Sequence, residues 1–402
     1  MPKRRANGEG SIYLRADGKW CAQYIDFNGR KRYLYGKTQQ EVRKKLQDAL
    51  RRKDDGYSLE PKSISVSDWV KEWLDNFKRP MLRESTYSAS LLRWKHHIEP
   101  YFSKIKLTQL KAEQIQAFLN EKAVRRLDGK QGGYSVSMIG LLWLLIDGSL
   151  QKAVELGYIV KNPCDACTKI RGAKPEKRIL TKEEQKRFES TVLSYSEKNP
   201  NAVILLLILR TGLRIGEALG LRISDISFEN REIYVQRTVG YITKPEGTGV
   251  AFYVAPPKSK KGKRKIPLTE NTIKLLQNLI NERNNLINAC MPRWKEKEKN
   301  LRFVDEGYLF LTSGGNVTFK HTVDRMLSML YAQCNIIEPR VSLHGLRHTF
   351  ATRWIEAGLD VRTLADILGH ADVKLTLNTY AHALPEQKQR NLYALEDFIA
   401  HV

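Results

Sequence analysis

Three windows in the second half of the chain gather side chains suited to chemistry on an anion: RTGLRIGEALGL at Arg210–Leu221, SLHGLRHTF at Ser342–Phe350 and LADILGHADVKLTLNTYAH at Leu364–His382. In the first, Gly212 and Gly216 interrupt a helical pattern. Arg214 is left near a helix start, where unpaired backbone amides already favour negative charge. Glu217, three residues on, can orient that guanidinium; a buried Arg–Glu pair with no chemical role is the other reading of the window. In the second, His344 and Arg347 share one helix face. His348 lies four residues after His344 and completes an HxxxH metal pair, but the metalloprotease pattern needs Glu where Gly345 stands, so no metal site is expected. In the third, His370 follows a glycine and Tyr380 comes ten residues later, a place where tyrosine is ordinarily core.

These residues sit in a chain of 402 residues, longer than one hydrophobic core usually fills. Hydrophobic residues make up 42%, enough for folded cores, and the formal net charge is +24. A surface so basic suits a polyanion, nucleic acid first and an anionic membrane second; a cationic surface kept for solubility is the plainer alternative. No apolar run is expected to reach the ~18 residues of a membrane span, and AVILLLIL at Ala202–Leu209 is followed at once by Arg210. MPKRRANGEG carries charge with no apolar run after it, so no signal peptide is expected. The five cysteines are scattered; Cys164 and Cys167 form a CxxC without a second pair, which predicts reduced thiols and a cytoplasmic protein rather than zinc.

Three segments must position the windows. In residues 1–56, aromatic-rich runs separated by ADGK and FNGR read as strands joined by positive-φ turns. A helix follows, with Thr38 and Glu41 as a capping box and Val42, Leu46 and Leu50 as its apolar stripe. The other face of this three-stranded sheet carries Arg15, Arg30, Lys31, Arg32 and Tyr33, and such a ribbon fits the DNA major groove, though it could equally be an ordinary solvated face. After a polar linker around Ser58–Ser65, residues 66–168 read as all helix, stopped by Gly157 and Asn162–Pro163. Beyond the charged linker RGAKPEKR, residues 175–402 open on a helix capped by Thr181 and Glu184. Helices dominate this segment except for a strand-rich insert with the basic turn KSKKGK. The expected fold is multidomain and mainly α: a small α+β amino-terminal domain, an all-α domain, and a mostly α third domain with a small sheet or hairpin.

Arg214 in RTGLRIGEALGL, HGLR at His344–Arg347, LGH ending at His370, and Tyr380 together resemble the signature of the tyrosine recombinases, the phage-type integrases. Residues 1–56 resemble the arm-type DNA-binding domain of integrases from phages and integrative conjugative elements, and residues 66–168 the helical, SAM-like core-binding domain. The resemblance thus covers nearly the whole chain. It implies a site-specific recombinase that integrates and excises a mobile element through a 3′-phosphotyrosyl intermediate and a Holliday junction.

Carried over to this chain, the resemblance makes Tyr380 the nucleophile and Arg214, Arg347 and His370 donors to the nonbridging phosphate oxygens. His344 would help move the tyrosine proton, and Glu217 would support Arg214. Lys258, chosen by its offset from Ile266–Pro267, would protonate the leaving 5′-oxygen, with Lys260 as the alternative. No metal or cofactor is expected. The expected partners are double-stranded DNA with core-type and arm-type sites, further copies of the chain in a tetramer, and excisionase or DNA-bending helpers; no membrane is expected. The expected location is the bacterial cytoplasm, on the nucleoid when DNA-bound. The tail PEQKQRNLYALEDFI has an amphipathic pattern in Leu392, Leu395, Phe398 and Ile399, suited to packing on its own domain or a neighbour. Two rival readings share the residues: a type IB topoisomerase-like activity, and a non-catalytic DNA-binding protein on the same scaffold.

Overall fold

The computed structural model describes residues 10–25, 30–54, 64–127, 131–172, 178–243, 249–257, 259–297, 305–336, 339–370, 372–373, 396 and 399. Asn28–Gly29, Lys258, Tyr380, Leu392, Leu395 and Phe398 lie outside them. Two compact units make up the chain, one running to Lys174 and the other comprising Pro175–Thr243 and Gly249–Val402.

In the first unit, β1 (Ser11–Leu14), β2 (Trp20–Ile25) and β3 (Lys31–Gly36) form an antiparallel sheet in sequence order. Gly18, at φ +76°, supplies the left-handed residue that the ADGK turn requires. Helix α1 (Gln39–Asp54) covers one face with Val42, Leu46 and Ala49 against Ala22 and Tyr24. Its cap is shifted from the expected box: the Glu41 amide donates to Thr38 Oγ1 at 3.2 Å, while the Glu41 carboxylate accepts from the Lys37 amide at 2.9 Å. On the open face Tyr13, Cys21 and Tyr35 form one row and Gln23 sits beside Tyr33. The Arg15 guanidinium lies 5.2 Å from the Tyr35 ring centroid. One expectation fails here. Arg32 is paired with Tyr24 and shares the helix-covered side with Leu34, because successive strand residues alternate faces; Lys31 and Tyr33 keep the open side, and Arg30 is exposed ahead of the strand.

The helical part of this unit comprises α2 (Val66–Trp73), α3 (Glu84–Arg93), α4 (Glu99–Phe102), α5 (Ala112–Val124) and α6 (Val136–Glu155). Ser65 caps α2 by accepting from the Asp68 amide at 3.0 Å, and Ser135 caps α6 from Met138 at 3.2 Å. Gly157, at φ +72°, follows the end of α6. The expectation that no apolar run is long enough to span a membrane needs correction, since α6 has 20 residues and a mean hydropathy of 1.2 over its most apolar stretch. Its apolarity is used in the core: Ile139, Leu142, Ile146 and Leu150 are buried, and Trp69 donates its indole N–H to the Ser149 carbonyl at 2.8 Å.

The second unit is built around α8 (Val203–Thr211), where Val203 to Leu209 are all buried, as expected of a helix apolar on every side. Packed around or near it are α7 (Lys182–Ser196), α9 (Ile215–Leu219), α10 (Glu270–Lys297), α11 (Lys320–Gln333), α12 (Leu343–Glu356) and α13 (Val361–Leu368). The predicted capping box on α7 is present, with Thr181 Oγ1 3.1 Å from the Glu184 amide and Glu184 Oε2 2.9 Å from the Thr181 amide.

The strand insert differs from a simple hairpin. β5 (Glu232–Val235) pairs with β8 (Arg264–Pro267) and with the short β4 (Ile226–Ser227), whereas β6 (Thr238–Thr243) pairs with β7 (Val250–Ala255). The basic stretch before β8 therefore bridges two sheets. It contains a short 3₁₀ turn at Lys260–Gly262 instead of forming the tip of one hairpin.

Candidate active site

Helix α8 ends on Gly212, whose φ of +66° is the left-handed conformation glycine adopts without penalty. A side chain there would also come within 2.7 Å of Leu368 and Phe350. Two residues later Arg214 is the N-cap of α9, its backbone N–H donating to Glu217 Oε2 at 3.0 Å and its Nη1 to Glu217 Oε1 at 2.7 Å. Gly216, in between, lets strand β6 approach, since a Cβ would meet Thr238 Oγ1 at 2.5 Å and the Val239 carbonyl at 2.9 Å. The two glycines noted in the sequence thus fix where Arg214 stands.

Helix α12 begins at a Ser342 cap, which accepts from the Gly345 amide at 3.1 Å. His344 is exposed in the first turn, with its ring centroid 4.5 Å from that of His348 in an edge-to-face arrangement. Arg347, one turn on, points inward and is only 2% exposed. Its Nη1 donates to the Gly212 carbonyl at 2.6 Å and its Nη2 to the Leu368 carbonyl at 2.7 Å. Arg347 Nη2 also lies 3.1 Å from His370 Nε2. Arginine can only donate, so this His370 nitrogen is the acceptor and the ring proton belongs on Nδ1.

The electrostatics agree with that tautomer. Burial lowers the His370 pKa to about 4, and the charges of Arg347, Arg214, Arg264 and His344 push it in the same direction. The imidazole is therefore neutral at pH 7. Glu217 is shifted by opposing causes: burial raises its pKa, but the guanidiniums of Arg264 and Arg214 outweigh burial and hold it below the usual carboxylate range.

Arg214, from the first window, and His344 and Arg347, from the second, thus bring their charges to bear on the His370 imidazole of the third. Lys258 and Tyr380 lie outside the described residues, as do the side-chain details of Lys260. Sequence reasoning missed Arg264. It is buried, and its Nη2 donates to Glu217 Oε2 at 3.0 Å. The signal was available: alternation along RKIP in β8 puts Arg264 on the inward side with Ile266, and a buried arginine requires acceptors. Among the described residues, no group of three or more His, Cys, Asp or Glu side chains could hold a metal ion. What the cluster can do is present fixed positive charge and hydrogen-bond donors to an anion.

Comparison with known proteins places this geometry in context. Residues 178–387, more than half of the chain, match the pattern of the phage integrase family, and residues 65–123 match the N-terminal SAM-like domain of phage integrases. A "tyrosine recombinase XerC-like" protein of Caldanaerobacter subterraneus subsp. tengcongensis is 28% identical over 92% of this chain and 93% of its own. The transposase of transposon Tn916 from Enterococcus faecalis is 25% identical over 95% of this chain and 94% of its own. The fold is shared with the Tn1549 transposon integrase, solved with a circular intermediate DNA, at a TM-score of 0.63 and 23% identity over 83% of this chain and all of that one. It is also shared with lambda integrase, solved as a tetramer on a Holliday junction, at a TM-score of 0.53 and 16% identity over 94% of this chain and 96% of that one. With its cationic cluster lying inside the matched region, this chain belongs to the phage integrase family.

Proposed function

We propose that the protein is a site-specific DNA recombinase that integrates and excises a mobile element by cutting and rejoining strands through a bond to Tyr380. The observation that carries this reading is a hydrogen-bonded cationic cluster, in which Arg347 meets His370 while the buried Glu217 carboxylate holds Arg214 and Arg264. A phosphodiester gains negative charge on its nonbridging oxygens as it is attacked, and preorganised cations in a partly dry site lower that barrier without moving. Arg214, with its side chain 39% exposed, meets the phosphate directly. Arg347 is buried and contributes its charge from behind, while orienting His370. His370, neutral with its proton on Nδ1, donates to a phosphate oxygen.

In the proposed step the Tyr380 phenol oxygen attacks phosphorus, and the bond from phosphorus to the 5′-oxygen breaks. The phenol proton passes to His344, and Lys258 delivers a proton to the leaving 5′-oxygen, with Lys260 as the alternative donor. The 3′-phosphotyrosyl bond conserves the linkage for rejoining to a 5′-hydroxyl of another strand, so no external energy source is required. Fixed cations occupy the role that metal ions play in other phosphoryl-transfer sites, and the reaction as drawn uses no cofactor.

The division of labour follows the three parts of the chain: residues 1–56 on arm-type sites, residues 66–168 and 175–402 on core-type sites. In the first part Arg15, Arg30, Lys31 and Tyr33 contact DNA. By analogy with the lambda integrase tetramer on a Holliday junction, four copies exchange strands in two steps, with excisionase or DNA-bending proteins setting the direction. Free cysteines suit the cytoplasm, with the protein on the nucleoid when DNA-bound.

The test is a nicked suicide duplex carrying the element's end, resolved on a denaturing gel. Wild type accumulates a protein–DNA adduct and Tyr380→Phe accumulates none. An adduct undiminished in Tyr380→Phe contradicts the assignment, and site-independent relaxation of supercoils by a monomer would replace recombination with a topoisomerase activity.

A further inference from the structure

The geometry points to Arg264 as a positioning residue of the reaction centre, one that clasps the basic segment before β8, the Arg214–Glu217 pair and the end of α13 into a single unit. This rests on the recombinase reading above and adds a residue to it. Arg264 opens β8 and faces inward beside Ile266. Its three donor nitrogens reach three parts of the chain. Nε donates to the Ile367 carbonyl, three residues before His370. Nη1 donates to the Gly262 carbonyl at 3.1 Å, inside the basic segment. Nη2 donates to Glu217 Oε2 at 3.0 Å, while the other oxygen of that carboxylate holds Arg214 at 2.7 Å.

A second observation comes from the opposite side. Gly369, the left-handed C-cap of α13 at φ +65°, sits directly against this guanidinium. A Cβ at position 369 would approach Arg264 Nη1 and the Lys261 carbonyl, each at 3.1 Å. The turn leading into His370 therefore closes over Arg264 and over the segment that carries Lys260 and Lys261. Lysine cannot replace this arrangement, because an ammonium is a compact point charge on a flexible stem, whereas the planar guanidinium directs donors three ways at once. Loosening the clasp would shift Arg214, His370 and the proton-donating lysine relative to one another. Misplacements of about 1 Å among reacting groups cost on the order of 10²-fold in rate.

Arg264→Lys and Arg264→Met are compared with wild type in single-turnover cleavage of the nicked suicide duplex, in affinity for the same duplex, and in thermal unfolding. For Arg264→Lys the expected result is cleavage slowed on the order of 10²-fold, with affinity close to wild type and an unfolding midpoint lowered, because the Ile367 and Gly262 carbonyls lose their donor, yet still above the assay temperature. Should Arg264→Met fail to fold, Arg264→Lys carries the test, because it keeps a cation beside buried Glu217. Cleavage by Arg264→Lys within about threefold of wild type overturns the inference, as does a rate loss matched by an equal loss of affinity, the pattern of a purely structural role. A wild-type protein that forms no Tyr380-dependent adduct would remove the recombinase reading itself. An adduct together with unimpaired Arg264→Lys would remove only this inference.

Discussion

Arg214 and Arg347, the two arginines proposed to stabilise the attacked phosphate, stand in different environments, one with its side chain 39% exposed and one at 2% exposure. Replacing either with alanine removes a cation from the attacked phosphate, and the expected cost in cleavage rate is roughly 10²–10³-fold. Single-turnover rates within a few-fold of wild type would contradict the role. Both variants should lose stability, for different reasons. Arg347→Ala strands the Gly212 and Leu368 carbonyls that now accept from it, at a cost of about 1–3 kcal/mol in denaturant unfolding, whereas Arg214→Ala removes one of the two guanidiniums that hold the buried Glu217 carboxylate. His370 makes a pH-dependent contribution of definite sign. Its folded-state pKa of about 4 lies below its ordinary value of 6.5, so the unfolded chain binds the proton first as pH falls. Native stability is therefore lost from about pH 6.5 down towards pH 4. The unfolding midpoint of His370→Gln should fall less steeply than that of wild type across this window; parallel curves would show that the imidazole is not held neutral by the fold.

At the level of elements, two short connections decide the site. Gly212 turns the chain from α8 towards Arg214 while offering its carbonyl to Arg347. Gly212→Ala forces a side chain into a left-handed position against Phe350 and Leu368, and should lower stability by about 1–3 kcal/mol in denaturant unfolding. The connection between β7 and β8 carries Lys258 and Lys260, the proposed general acid and its alternative. On a duplex whose 5′-bridging oxygen is replaced by sulfur, the leaving thiolate needs no proton because thiols are far more acidic than alcohols. Lys258→Ala should be slow on the oxygen duplex and close to wild type on the sulfur one, with Lys260→Ala fast on both; the reverse pattern moves the role to Lys260.

Much of this scale was legible beforehand. The helices with capping signals and three- and four-residue apolar spacing are present, as is the hairpin at ADGK, because local hydrogen-bond geometry alone specifies them. Glu217 beside Arg214 was legible for the same reason, as a contact within one helical turn. Arg264 was not singled out, because its partners Glu217 and Ile367 are 47 and 103 residues away. Strand pairing in the insert was not legible either. β5 skips two strands to pair with β8, and nothing local in KSKKGK reveals that β7 already has β6 as its partner. Arg32 was assigned to the wrong face by composition, where strict alternation would have placed it correctly.

At the scale of the whole molecule, the formal charge of +24 should be visible in DNA binding itself. A protein that neutralises many phosphates releases their counterions, so its Kd should rise at least about tenfold between roughly 50 and 200 mM salt. A flat response would rule out a clamp that tracks the backbone. Deleting residues 1–56 should weaken binding to arm-type duplexes while leaving cleavage of a core-type suicide duplex intact; equal loss on both duplexes would refute the assignment of that segment. The central claim, that fixed cations drive a tyrosine oxygen onto a DNA phosphorus, is tested most directly by digesting the covalent adduct and sequencing the modified peptide by mass spectrometry. The account predicts a single nucleotide-bearing residue, Tyr380, joined through a 3′-phosphate and opposite a free 5′-hydroxyl. A linkage at another residue, or a 5′-phosphate on the protein, would contradict it.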